Sequence, residues 1–277
     1  MKVRRITLLV LVSLTALLVL QGWFFGVGKM FPGQSPITIN WGYQDGRKDA
    51  FKEQEFTHRK EKIGVLAIDN EFGQIFVQGT SEDIIRVTAE IAITAENAQK
   101  GEERLQEFSI KESLVGNRLS YELEKSTPAQ TMQGVAVNYR VEVPDGLELS
   151  IKQRYGVLNV TNVQAELLEY KLRYVTATVE NFVGSLRGTS DFSHLNLHDV
   201  VGPIQLQDNY STMSLFLRDV GEGYDFRIDQ NYGSLKDNLN LERIMVQNRL
   251  EATGKYGLGQ HPVQIQSNFS TITINVD

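Results

Sequence analysis

Tyr174-Val175-Thr176-Ala177-Thr178-Val179 and Phe192-Ser193-His194-Leu195-Asn196-Leu197 carry one phrase: an aromatic, then apolar residues three and five positions later. Tyr155 is followed in the same way by Leu158 and Val160, Tyr210 by Met213 and Leu215, and Phe269 by Ile272 and Ile274. The phrase appears once far upstream, where Phe72 precedes Ile75 and Val77. Across the C-terminal half the aromatics are Tyr155, Tyr174, Phe192, Tyr210, Tyr232, Tyr256 and Phe269, at successive spacings of 19, 18, 18, 22, 24 and 13 residues. A period near 18 to 20 with insertions is the mark of a repeat architecture whose extra residues bulge into loops. The expected fold is mainly β: a parallel β-solenoid (β-helix) of ~18–24-residue coils.

A second phrase follows seven positions after the aromatic, in Asn162-Val163, Asn181-Phe182 and Asp199-Val200. Each coil then reads as strand, Asn or Asp turn, strand and corner. One coil cannot bury its apolar side alone, so neighbours must stack. Stacked strands lie about 4.8 Å apart, which would line the aromatics up as a ladder at one corner. The ladder is expected to serve packing, and the Asn and Asp positions to form turns through side-chain bonds to nearby backbone. Successive strand side chains face opposite sides. Leu195 and Leu197 should therefore lie inside, with His194, Asn196 and His198 outside.

The chain has 277 residues and no cysteine, so disulfides, thiolate metal sites and a Cys nucleophile are excluded. With 28 Lys+Arg against 34 Asp+Glu its net charge is -6, which argues against a nucleic-acid partner. Residues 1–31 stand apart. Lys2, Arg4 and Arg5 precede an uncharged run from Ile6 to Gly28, 23 residues long by count, close to the ~20 that span a bilayer as a helix. The positive flank places the N-terminus in the cytoplasm and the bulk of the chain outside, as a single-pass signal-anchor. The competing reading is a signal peptide cleaved after Gly26-Val27-Gly28.

Residues 32–61 are polar and mixed in charge and are expected to be a juxtamembrane linker, part of it helical. Residues 62–149 read as a β-rich part. Ile63, Val65 and Ala67 point one way, and Ile85, Val87, Ala89, Ile91 and Ile93 alternate after them. Residues 96–108 suit an amphipathic helix of about three turns. Ile110 to Leu114, Leu119 to Leu123 and Val135 to Val143 read as strands, with a hairpin turn at Val115-Gly116-Asn117-Arg118. Pro144-Asp145-Gly146 is a turn that separates this part from the repeats of residues 150–277.

Asn70-Glu71-Phe72-Gly73-Gln74-Ile75-Phe76-Val77, Asp83-Ile84-Ile85-Arg86-Val87, the strand ending Val141-Glu142-Val143-Pro144 and the repeats after it resemble a bacterial family. It is the family of putative adhesins with β-strand repeats, a domain of unknown function. The resemblance covers roughly residues 62–277 and implies a membrane-attached envelope protein with a β-helical domain and no established catalytic residues. The long coils at Tyr210 and Tyr232 and the short one at Tyr256 depart from the family's pattern.

Candidates for chemistry are few. His194 and His198 lie four apart on an expected strand, ~13 Å from each other and too far to share a metal. Asp191, Ser193 and His194 are triad types, yet adjacent strand residues face opposite ways. Asp191, Asp208, Asp219 and Asp229 recur on successive coils and could align as the acids of a polysaccharide-active β-helix enzyme. No catalytic, cofactor or metal site is expected. The leading expectation is a non-enzymatic, membrane-anchored extracytoplasmic protein that binds an envelope protein or cell-wall polymer, through strand faces or the long coils at Leu217–Gln230 and Lys236–Thr253. The alternatives are a sensor of envelope stress acting through a membrane partner, and the polysaccharide enzyme.

Overall fold

The computed structural model describes residues 49–127 and 131–277. The expected signal-anchor lies outside them, as do residues 32–48 of the expected linker. Among the described residues no helix is long and apolar enough to cross a membrane.

The first part holds strands β1 (Ala50–Arg59), β2 (Val65–Thr80) and β3 (Ile84–Ile93), a helix α1 (Ala98–Leu105), then β4 (Phe108–Val115), β5 (Arg118–Lys125) and β6 (Val135–Pro144). The second holds β7 (Leu147–Arg173), β8 (Val175–Asp191), β9 (His194–Val201), β10 (Ile204–Asn209), β11 (Thr212–Leu217), β12 (Tyr224–Asn231), β13 (Ser234–Asp237), β14 (Glu242–Val246), β15 (Arg249–Tyr256), β16 (His261–Asn268) and β17 (Thr271–Val276). All of them join one 17-stranded mixed sheet.

Three expectations for the first part need correction. The linker over residues 32–61 is in fact strand over Ala50–Arg59, paired antiparallel with β3. Its side chains only half-bury, so it lacks the strong apolar alternation that marks a strand in sequence. The helix is shorter than residues 96–108. The Asn97 side chain accepts from the Lys100 backbone N–H at 3.0 Å and caps its start, and Phe108 already belongs to β4 with its ring in the core. In β2 the inward residues are Leu66 and Ile68, with Val65 half-exposed, so the phase set by Ile63 does not carry into the strand. The hairpin between β4 and β5 and the turn between β6 and β7 form where expected.

The second part is built on parallel pairing. β7 pairs with β8 from Gly156 opposite Val175, an offset of 19 residues. β8 then pairs with β9 (Thr176 opposite His194) and β9 with β11 (His194 opposite Thr212), each an offset of 18. A second set of strands runs beside the first, with β8 pairing β10 (Leu186 opposite Ile204). The inward residues of these strands, among them Leu158, Ala177, Leu195, Met213 and Ile272, belong to one continuous core and are 0% exposed.

After β11 the spatial order leaves the chain order. β10 and β11 pair next with β16 and β17, and these pair with β12 and β13 on their other side. The last strands of the chain thus lie between two levels that precede them in sequence. The antiparallel hairpin β14–β15 covers the far edge of β12. At the other end β2 is flanked by β5 and β6, which pair antiparallel with β4 and β3. Antiparallel strands therefore close both ends of the parallel region, where bare strand edges would otherwise invite pairing with other chains.

Candidate functional site

The feature that the repeats build is a corner. Tyr174, Phe192, Tyr210, Tyr232 and Phe269 have φ between 51° and 55°. This left-handed conformation is uncommon outside glycine and turns the strand sharply. The turn throws each ring outward onto the next. Phe72, Tyr155, Tyr174, Phe192, Tyr210, Phe269 and Tyr232 stack in that order, with centroids 4.8 to 5.3 Å apart and planes within 13° of parallel. Such pairs add about 0.5–1.5 kcal/mol each beyond area burial. The rings remain partly open, with Phe192 46% and Tyr232 58% exposed. Tyr256 is not among them. It ends β15, opposite Tyr224, and begins no coil.

The backbone strain of this corner is matched by hydrogen bonds directly behind the rings. Ser193, Ser211 and Ser270 follow their aromatics. Each hydroxyl donates to the carbonyl two residues back, at 2.8, 2.9 and 3.0 Å. The same oxygens accept from the next rung: Val175 N donates to Ser193 Oγ at 3.2 Å, Ser193 N to Ser211 Oγ at 3.0 Å, and Ser211 N to Ser270 Oγ at 3.3 Å. Where glycine follows the aromatic, a buried amide two residues before the ring takes over. Gln153 Nε2 donates to the carbonyls of Gly73 and Tyr155, and Gln230 Nε2 to those of Ser270 and Ser234. On the outer side Asn209, Asn268 and Asn231 extend a chain of amide bonds from Asp191, each 2.9 Å long.

The opposite bend is made by Asn162, Asn181 and Asp199, at φ 54°, 51° and 52°. These are the turn residues that the second phrase anticipates. Asn181 Nδ2 also donates to Asn162 Oδ1 at 3.1 Å, tying adjacent turns together.

The four aspartates do not converge on a site. Asp208 is 1% exposed and accepts a 2.5 Å hydrogen bond from Ser190 Oγ. Burial raises its pKa, outweighing the hydroxyls of Ser190, Ser270 and Ser211, which favour the charged form. Asp191 is bound by Asn209, Asp219 holds the backbone of Gly221 and Gly223, and Asp229 is gripped by Arg249. His194 and His198 point outward, His198 lying 3.2 Å from Asp199. The Ser193 hydroxyl is engaged behind the corner, on the other side of the strand from His194. The residues that a triad or an acid pair would need are thus each engaged by side chains or backbone of the surrounding fold. A groove of about 410 Å³ lies over β4, β5, β2 and β7, and among its lining residues Lys111 pairs with Glu122 and Lys152 with Asp69. No group of His, Cys, Asp or Glu side chains able to hold a metal occurs among the described residues.

The residue after each ladder aromatic is small or β-branched in the sequence, as at Val175, Ser193, Ser211 and Ser270; that the serines bond the neighbouring rung follows only from the stacking. The left-handed aromatics carry no local signal at all, since turn chemistry predicts glycine or asparagine there.

No protein-family model matches this chain, and neither does any curated protein. Solved structures that are similar to it include a "putative cell adhesion protein" from Clostridium sporogenes ATCC 15579, 12% identical, with a TM-score of 0.43 over 82% of this chain and 100% of the other. A "putative adhesin" from Bacteroides fragilis NCTC 9343 is 9% identical, with a TM-score of 0.32 over 83% of this chain and 100% of the other. A third, from Parabacteroides distasonis ATCC 8503, is 9% identical, with a TM-score of 0.30 over 80% of this chain and 97% of the other. All three are distant likenesses.

Proposed function

We propose that this chain is a non-enzymatic binding protein of the bacterial cell envelope, adhesin-like, whose parallel coils form a β-solenoid. Residues 1–31 anchor it in the membrane and the coils stand outside the cell. The observation that carries this reading is the ring ladder. Seven aromatics in register, backed by serine and amide ladders, make a stiff scaffold whose outer faces repeat from rung to rung. A repeating rigid surface suits a repeating or extended partner, because side chains already fixed on strands lose little entropy on contact. The catalytic residue types support the non-enzymatic part, since Asp208, Asp191 and Ser193 are spent on the fold. The partner is an envelope protein or a wall polymer.

The test is co-sedimentation of the full-length chain, in detergent, with purified bacterial cell-wall sacculi, and capture by detergent-solubilised envelope proteins. Retention by one of the two is expected. A folded chain retained by neither overturns the proposal.

A further inference from the structure

The strands that follow the ring ladder present one broad outer face. Its rungs come from β8, β9, β11, β17 and β13, in that spatial order. The residues two and four positions after each of their rings point outward and form two columns along the stack. In the middle of this face stand Thr176 and Thr178, Thr212 and Ser214, Thr271 and Thr273, with His194 and Asn196 between the first two pairs. In both columns, from the Tyr174 rung to the Tyr232 rung, Lys236 is the one Lys, Arg, Asp or Glu.

This absence of charge is local. Directly before the rings, on the other side of the ladder, stand Arg154, Arg173 and Asp191, and further back Arg187, Arg227 and Asp229. The whole chain is 22% charged and carries a net charge of -6. A neutral face on an acidic protein is an electrostatically poor seat for an anionic polymer, which calls for Arg or Lys. The exposed Glu180 and Phe216 lie two residues beyond the columns. Within the two columns the face is also a poor seat for an apolar surface, because apart from His194 and Lys236 the outward groups are hydroxyls and amides. Those groups donate and accept alike, as do the hydroxyls of a sugar. They sit on a fixed lattice, ~4.8 Å from rung to rung and ~6.6 Å between the two columns along a strand. The open edges of Phe192, Tyr210, Phe269 and Tyr232 form an apolar wall along one side of it.

We infer that this face is a docking surface for an extended, uncharged polysaccharide strand of the cell surface, held by many weak hydroxyl contacts spread over successive rungs. The inference rests on the envelope-binding reading above and names its ligand class. Repetition supplies the strength, since each further rung engages a polymer that is already held.

Affinity electrophoresis of the full-length chain tests it, in detergent gels cast with hydroxyethyl cellulose or a neutral mannan, and with polygalacturonate as the anionic counterpart. Retardation by at least one neutral polymer and not by polygalacturonate is expected. The pair Thr212→Glu and Thr271→Glu should weaken it at least about tenfold, since a charge would have to be desolvated against the polymer. The gentler pair Thr212→Val and Thr271→Val, which keeps side-chain shape and strand preference, should weaken it as well. Gln205→Glu with Gln264→Glu, beyond the ladder, should leave it unchanged. The inference is overturned if neither neutral polymer retards the chain, if polygalacturonate retards it more, or if the control pair loses as much as the face pairs. A chain that sediments with sacculi yet ignores both neutral polymers keeps the envelope-binding reading and loses this one.

Discussion

The ring of Tyr170 lies where a side chain on Gly188 would be. The two residues are opposite each other across β7 and β8, and a Cβ built on Gly188 would overlap the Tyr170 ring. The backbone of Gly188 does not carry a positive φ, so the requirement is for space alone. Gly188→Ala should therefore cost at least the ~1–3 kcal/mol typical of overpacking. Tyr170→Leu in the same chain should recover part of the loss, and a double-mutant cycle by urea denaturation would measure the coupling. Additive losses would mean that the ring has room to move.

The register of the inward face gives the sharpest contrast in the molecule. Leu197 is 0% exposed, and the neighbouring His198 is open to solvent. Leu197→Asp removes a core side chain, worth ~2–5 kcal/mol by truncation alone, and adds a buried unpaired carboxylate. His198→Asp should change stability by less than about 0.5 kcal/mol, as surface substitutions do. Thermal melts of the two variants make the comparison, and equal losses would contradict the register.

Behind the rings, two kinds of corner exchange roles. Gly233 leaves space that the Gln230 amide fills, and a Cβ at Gly233 would clash with it. Ser270, on the adjacent rung, has Ser267 in the place of that glutamine. Gly233→Ser alone should destabilise the last level by roughly 1–3 kcal/mol, through a clash and a displaced buried amide. Adding Gln230→Ser should recover only the part due to the amide, because a Cβ at Gly233 would still overlap the Ser270 carbonyl oxygen. Full recovery in the double variant, seen in urea melts, would show that this carbonyl can move aside.

Asp208 sets a pH dependence. Burial raises its folded-state pKa above the ordinary carboxylate value, so folding favours the protonated acid. The stability it contributes is fully present below the unfolded pKa, near ~3.9, and is lost as pH rises through the folded value. Asp208→Asn keeps the size and a hydrogen-bonding side chain but cannot ionise. The variant should gain on the wild type as pH rises from about 4 to 7. Denaturation at both pH values would test this, and a stability difference that does not change with pH would rule it out.

Much of this was legible in the sequence because the aromatic phrase specifies two things at once. Leu195 and Leu197 follow from period two, and Asn162, Asn181 and Asp199 follow from turn chemistry. What was not legible depends on neighbours far along the chain. Tyr256 carries the same local aromatic signal as Tyr232 but meets an antiparallel partner, so it sits opposite Tyr224 and outside the ring ladder. The Ala50–Arg59 strand is paired on one side by β3 and half-buried along its length, which leaves no apolar rhythm to read. The pairing of glycine with a preceding Asn or Gln, in Asn70/Gly73, Gln153/Gly156 and Gln230/Gly233, is written in the sequence. It becomes meaningful only once a carbonyl of the neighbouring rung is seen to lie where the missing side chain would be, with the amide donating to that same carbonyl.

The placement of β16 and β17 between β10–β11 and β12–β13 bears on the order in which the stack can assemble. A stack built in chain order closes level by level, and its last level is a removable end. Here β16 and β17 are an interior wedge. Until they insert, two levels that precede them in sequence have nothing to bond to on their facing edges. Loss of residues 261–277 would split the stack in the middle, leaving the β12–β15 sheet without a parallel neighbour.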